Sequence, residues 1–106
     1  MDEELLLKEM VSRIRKTLNP ERIILFGSRA RGQARNKSDY DLVVIQESDQ
    51  PRYRRSVPLY PALADLPIEV DILVYMPQEV QEWSAVPQAF ISTAIREGKV
   101  IYEREE

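Results

Sequence analysis

The chain has 106 residues, 43% of them hydrophobic and 31% charged, with a net charge of −3 and neither cysteine nor histidine. That composition describes one globular domain over residues 1–106 and excludes disulfides, thiolate nucleophiles, zinc–thiolate sites and histidine general bases. Any catalysis must run on carboxylates, hydroxyls, Lys or Arg, any metal should be hard and oxygen-bound, and the acidic balance offers no general pull toward nucleic acid or an anionic membrane.

The first predicted element is an amphipathic helix over residues 2–18, where Leu7, Met10, Val11, Ile14 and Leu18 recur at three- and four-residue steps. Acidic residues crowd its start and Arg13, Arg15 and Lys16 lie near its end, complementing the helix dipole. Asn19-Pro20 stops it. Arg22 to Phe26 is a short apolar run that reads as a buried strand ending at Gly27. Ser28 can N-cap a short helix through Arg29-Ala30-Arg31, which Gly32 ends. After a polar loop, Tyr40 to Ile45 predicts a second strand covered on both faces.

Residues 52–66 are helical in part, broken or kinked by Pro58 and Pro61. Ile68 to Tyr75 predicts a third strand, with Ile68, Val70, Ile72 and Val74 on one face and Glu69, Asp71, Leu73 and Tyr75 on the other. Pro77 starts a short helix to Trp83, and a further helix follows Pro87, with Phe90, Ile91, Ala94 and Ile95 on one side and Gly98 at its end. Lys99 to Tyr102 is a brief last strand. The order indicates an α/β (α+β) chain, a small mixed sheet flanked by helices. No apolar run is long enough to span a bilayer. The opening Asp2-Glu3-Glu4 is opposite in sign to a secretory leader, so a cytoplasmic protein is expected.

The chemistry concentrates at a few positions. Gly27-Ser28 is followed, ten residues later, by Asp39-Tyr40-Asp41. Residues two apart on a strand point the same way, roughly 7 Å apart, so both carboxylates can reach one site. A neighbouring strand lies roughly 5 Å away, and Asp71 could join them from it. Three such carboxylates can hold two divalent ions for in-line displacement at phosphorus, and Mg²⁺ suits the role because it shares oxygen ligands with substrate phosphates. Gly27 lets backbone approach a phosphate, Ser28 adds a hydroxyl, and Arg29, Arg31, Arg35 and Lys37 supply charge to neutralise one. Each piece alone has a plainer reading: a turn, a capped loop, a solvated basic stretch. Asp71 amid Ile, Val and Leu is harder to dismiss, because a buried carboxylate without a partner is costly. Glu69 shares its face and is the alternative ligand.

In these residues the chain resembles the minimal nucleotidyltransferases of the DNA polymerase beta superfamily. The matching motifs are Gly27-Ser28, then Asp39-Tyr40-Asp41-Leu42-Val43-Val44, then Val70-Asp71-Ile72, with Glu97 to Tyr102 similar to that family's closing strand. The resemblance implies a nucleotidyltransferase fold that moves a nucleoside monophosphate, usually AMP from ATP, onto an acceptor hydroxyl. It implies Asp39 and Asp41 as holders of two Mg²⁺ ions, Asp71 as the third carboxylate near the attacking group, and Gly27 and Ser28 on the β- and γ-phosphates, with Arg29 and Arg31 beside them. Members of this length are antitoxin partners of HEPN-domain ribonucleases and adenylylate a toxin tyrosine. One departure is the segment 51–67, where Pro51, Pro58, Pro61 and Pro67 replace a more regular helix on the acceptor side.

The expectation is therefore a magnesium- and ATP-dependent antitoxin enzyme in a hetero-oligomer with a HEPN toxin, with no direct nucleic-acid binding. Two alternatives belong to other classes: a non-catalytic antitoxin acting by contact, and nucleotidyl transfer to a small molecule or RNA. Leu59, Tyr60, Trp83, Val86 and Phe90 are candidates for an exposed partner patch, with core packing the plainer reading of any one.

Overall fold

The computed structural model describes residues 2–27 and 39–105. Asp2 caps the first helix, its carboxylate accepting from the Leu5 N–H at 2.8 Å. Helix α1 (Glu3–Thr17) has Glu3 and Glu4 in its first turn and Arg15 and Lys16 in its last, and it buries Leu6, Met10 and Ile14. The core stripe is thus one position round from the predicted one: Leu6 takes the interior, while Leu7 and Val11 pack at its flank. A four-residue step places Leu6 above Met10 and Ile14 on one line.

Four strands form one mixed sheet in the order β3-β2-β1-β4. They are β1 (Arg22–Phe26), β2 (Tyr40–Ile45), β3 (Val70–Tyr75) and β4 (Lys99–Glu103). β1 runs antiparallel to both β2 and β4, whereas β2 and β3 are parallel. A parallel pair needs a crossover, and α2 (Arg52–Arg55) and α3 (Leu59–Leu63) lie within it. Pro58 is the N-cap of α3. Pro61 falls in its first turn, where the missing N–H has no intrahelical acceptor in any case. The break expected of these prolines therefore lies between α2 and α3, and Pro61 does not interrupt α3. β3 starts at Val70 rather than Ile68, because the Ile68 N–H donates to the Leu66 carbonyl at 2.8 Å and closes a tight turn.

The two faces of the sheet are covered unequally. On the first, Ile23, Leu25, Leu42, Val44, Ile72 and Val74 pack with Met10, Ile14, Leu59 and Leu63 in one core. Each such side chain contributes about 2 kcal/mol by leaving water. Arg13 ties α1 to the α3 region, pairing with Asp65 and donating to the Ala62 carbonyl at 3.2 Å. On the second face, Ile24, Val43, Ile45 and Tyr75 pack with Ile91 and Ala94. Those last two belong to α5 (Phe90–Glu97), which lies on β1 and against α4 (Pro77–Trp83). On that side of β3, among the described residues, Tyr75 is buried and Leu73 keeps 43% of its surface exposed. Among the described residues, no helix is long and apolar enough to cross a membrane.

Candidate active site

β1 ends at Phe26, whose partner across the antiparallel ladder is Asp41. The parallel ladder on the other side places Asp71 directly beside Asp41. Side chains level with one another in adjacent strands share a face, at a strand spacing of roughly 4.8 Å. Asp41 and Asp71 thus come together from strands 30 residues apart in sequence, on the second face of the sheet. Asp39 stands exposed just before β2. The carboxylate that Asp41 faces is Asp71 and not Glu69, which lies before β3 and offers its carbonyl to the Tyr40 N–H at 2.9 Å.

Electrostatics marks the same group. Burial, then the Asp71 charge, then the Asp39 charge push the Asp41 carboxyl above its ordinary value of 3.8. A like-charged group held half-buried beside two others destabilises the fold and is the usual sign of a site kept for a ligand. The donor set consists of carboxylate oxygens, which suits a hard cation such as Mg²⁺. Among the described residues no group of three carboxylates is close enough to hold one ion together. The set is spread over β2, the residue before it and β3, so an ion held there would need ligands from outside the carboxylates.

Gly27 has φ +79°, the left-handed region, and a Cβ there would stand 2.6 Å from Asp41 Oδ2. The chain must turn past the carboxylate as it leaves β1, and only a residue without a side chain does so freely. Gly27→Ala is therefore expected to destabilise by about 1–2 kcal/mol through backbone strain alone, read as a lower urea midpoint. It should also lower any metal- or nucleotide-dependent activity, because Asp41 must move. An unchanged midpoint would show that the turn relaxes without cost. Ser28, Arg29 and Arg31, assigned to the phosphates from the sequence, lie outside the described residues, as do Arg35 and Lys37.

The surroundings hold residues that sequence reasoning did not assign. The Phe26 and Phe90 rings meet edge to face at 5.1 Å and 72°, fixing the start of α5 beside the carboxylate end of β1. The Arg52 guanidinium lies over the Tyr75 ring at 4.8 Å. Arg55 donates to both oxygens of Glu79 at 2.7 and 3.2 Å, to the Gln50 carbonyl at 2.9 Å and to the Val74 carbonyl at 3.3 Å. The signal in the sequence was Arg52-Tyr53-Arg54-Arg55, three cations in one turn with no acid among them. The proposed partner patch divides: Leu59 is core, and Tyr60 Oη accepts from the Ile72 N–H at 3.0 Å on the β3 edge. Trp83 and Phe90 remain half-exposed together.

A family model described as polymerase beta, nucleotidyltransferase matches residues 8–106. Among solved structures, one from Sulfolobus solfataricus, described as a candidate nucleotidyltransferase, superposes with a TM-score of 0.67 at 21% identity. The match covers 96% of this chain and 82% of that one. A toxin–antitoxin with AMP-PNP superposes with a TM-score of 0.63 at 17% identity, covering 93% of this chain and 74% of that one. At these identities the likeness is one of fold. No curated protein matches the sequence.

Proposed function

This chain belongs to the polymerase beta nucleotidyltransferase family, and from that premise we propose that it transfers AMP from ATP to a tyrosine hydroxyl of a HEPN ribonuclease toxin. The observation that carries the reading is the register that sets Asp71 beside Asp41, with Gly27 turning closely past the same carboxylate. The similar fold of a toxin–antitoxin with AMP-PNP supports the partner class and the adenine nucleotide. An ATP donor and a ribonuclease target both suit the cytoplasm.

In this reading the acceptor oxygen attacks the α-phosphorus, the α–β phosphoanhydride breaks, and pyrophosphate leaves with the electron pair. Asp39 and Asp41 would hold Mg²⁺, which would supply charge neutralisation for the attacking and leaving oxygens. Asp71, exposed beside Asp41, accepts the acceptor hydroxyl's hydrogen bond, orients it and takes its proton as the O–P bond forms. Gly27, with Ser28 after it, takes the β- and γ-phosphates against backbone N–H groups. Arg29 and Arg31 are assigned to charge neutralisation there. In this reading the partner protein brings its own tyrosine to the site.

Incubation with α-labelled ATP, Mg²⁺ and the adjacent gene's product should label the partner on tyrosine, and chelation of the metal should stop it. Label transfer that persists in Asp39→Ala/Asp41→Ala would overturn the metal-site assignment. The spread of the three carboxylates favours one second reading, neutralisation by contact alone. Neutralisation that survives the double substitution in a toxicity assay would select it.

A further inference from the structure

Asp71, Leu73 and Tyr75 share one face of β3; Asp71 and Leu73 are exposed, and Tyr75 is buried beneath Arg52. The line they form ends in a cavity of about 280 Å³ walled by Arg52, Tyr75, Trp83 and Phe90. Leu73, Trp83 and Phe90 are 43%, 44% and 43% exposed. Scattered apolar exposure is ordinary, but Trp83 and Phe90 share one cavity and Leu73 lies two residues from its Tyr75 wall on the same strand face, and such a grouping marks a binding surface.

The rim of this trough is basic. α2 carries Arg52, Arg54 and Arg55 and no acid. Glu79 is engaged by both arms of Arg55, so its 3.8 Å approach to Arg52 is a secondary contact. Arg52 lies over Tyr75 with half of its side chain in solvent, and Arg54 is exposed. A planar guanidinium fork presented this way matches a carboxylate.

The geometry points to an extended segment of the acceptor protein docked in this trough, with its acceptor hydroxyl at Asp71 and an acidic residue about four positions along at Arg52. Tyr75, under Arg52, is four residues from Asp71, roughly 13 Å of strand, and an extended peptide covers the same distance in the same count. The segment lies on the face of the sheet and is held by side chains. It does not add as a fifth strand, because the outer edge of β3 is occupied: Tyr60 accepts from the Ile72 N–H and Arg55 donates to the Val74 carbonyl. The place of the hydroxyl rests on the transferase reading above; the docking does not.

Trp83 is the only tryptophan, so its fluorescence reports on the trough directly. The probes are three synthetic peptides: tyrosine with glutamate four residues away, tyrosine with glutamate adjacent, and tyrosine with lysine four residues away. The first should give a saturable change, at least tenfold tighter than the other two. Arg52→Glu should reverse the preference toward the lysine peptide, and Leu73→Asp should abolish binding, with circular dichroism verifying that both variants are folded. Equal binding of all three peptides, or no saturable change with the first, overturns the proposal. So does displacement of the peptide from Trp83 by ATP or by a short single-stranded RNA, which would make the trough a nucleotide or RNA site. AMP transfer is measured separately in the same mixtures. Spacing-dependent binding without transfer leaves the docking standing and counts against the proposed function.

Discussion

Asp41→Asn is expected to give a protein that is more stable than the parent and at least 10³-fold slower in AMP transfer. The loss follows from removing the carboxylate at the centre of the set, since one lost electrostatic contact to the phosphoryl transition state is worth several kcal/mol and each 1.36 kcal/mol is tenfold. The gain follows from the same residue. Burial and the charges of Asp71 and Asp39 raise its folded-state carboxyl above 3.8, so the ionised form is disfavoured in the native state. Its favourable contribution is complete below the unfolded value and is lost as pH rises through the folded one. At neutral pH the neutral amide should therefore stabilise by a few tenths of a kcal/mol, as relief of like charges on paired strands does. The difference should vanish at acid pH, where Asp41 is itself uncharged. Urea denaturation of both proteins at pH 7 and pH 3 measures it. Equal stability at both would show that the carboxylates do not repel in solution, and full transfer activity would remove Asp41 from the metal site.

Glu79→Ala should be the most destabilising single surface change, costing about 2–3 kcal/mol. Arg55 is buried to 6% side-chain exposure, and Glu79 at 16% is its only charged partner among the described residues. Removing one member of such a pair leaves a charge stranded, and the remaining exposure of Glu79 keeps the penalty toward the lower end. The Glu79 carboxylate also accepts from the Met76 N–H at 2.8 Å and so starts α4. Three elements should loosen together: α2, the end of β3 and α4. The Arg55 hydrogen bond is the main cause that lowers the Glu79 carboxyl below its usual 4.5. A lowered value means that the contribution is present at neutral pH and is lost as pH falls through the folded-state value. The gap between parent and variant should narrow as pH falls below 4.5, opposite to the Asp41 case, and denaturant titrations across that range would show it. A constant gap would mean that packing rather than charge holds the site. Glu79→Gln, which keeps the shape, should recover part of the loss.

These two variants also separate what was legible in the chain from what was not. β1, β2 and α4 have the bounds that their patterns predict, and β4 runs one residue further. Each is announced by short-range chemistry: an apolar run, a proline at a first turn, a glycine at a helix end. The two-residue spacing of Asp39 and Asp41 needs nothing beyond the alternation of a strand. The crossover was harder, because Pro61 reads as a breaker in sequence but sits in a first turn where its missing N–H costs nothing.

Among the described residues the sequence by itself therefore determined most of the elements, their order, and which residue types could carry the chemistry, because those depend on contacts within a few residues; the helix expected from Ser28 through Arg31 lies outside the described residues. Only the tertiary structure decided that Asp71 rather than Glu69 faces Asp41, since that rests on the register of two strands joined by a long crossover. It also decided that Gly27 passes within contact of the Asp41 carboxylate, and that Arg55 finds Glu79. It decided, finally, that α5 lies on β1 and that Leu73 on the same face of the sheet stays exposed among the described residues. Periodicity tells a strand which side chains share a face, but what covers that face is chosen by packing among residues far apart in the chain.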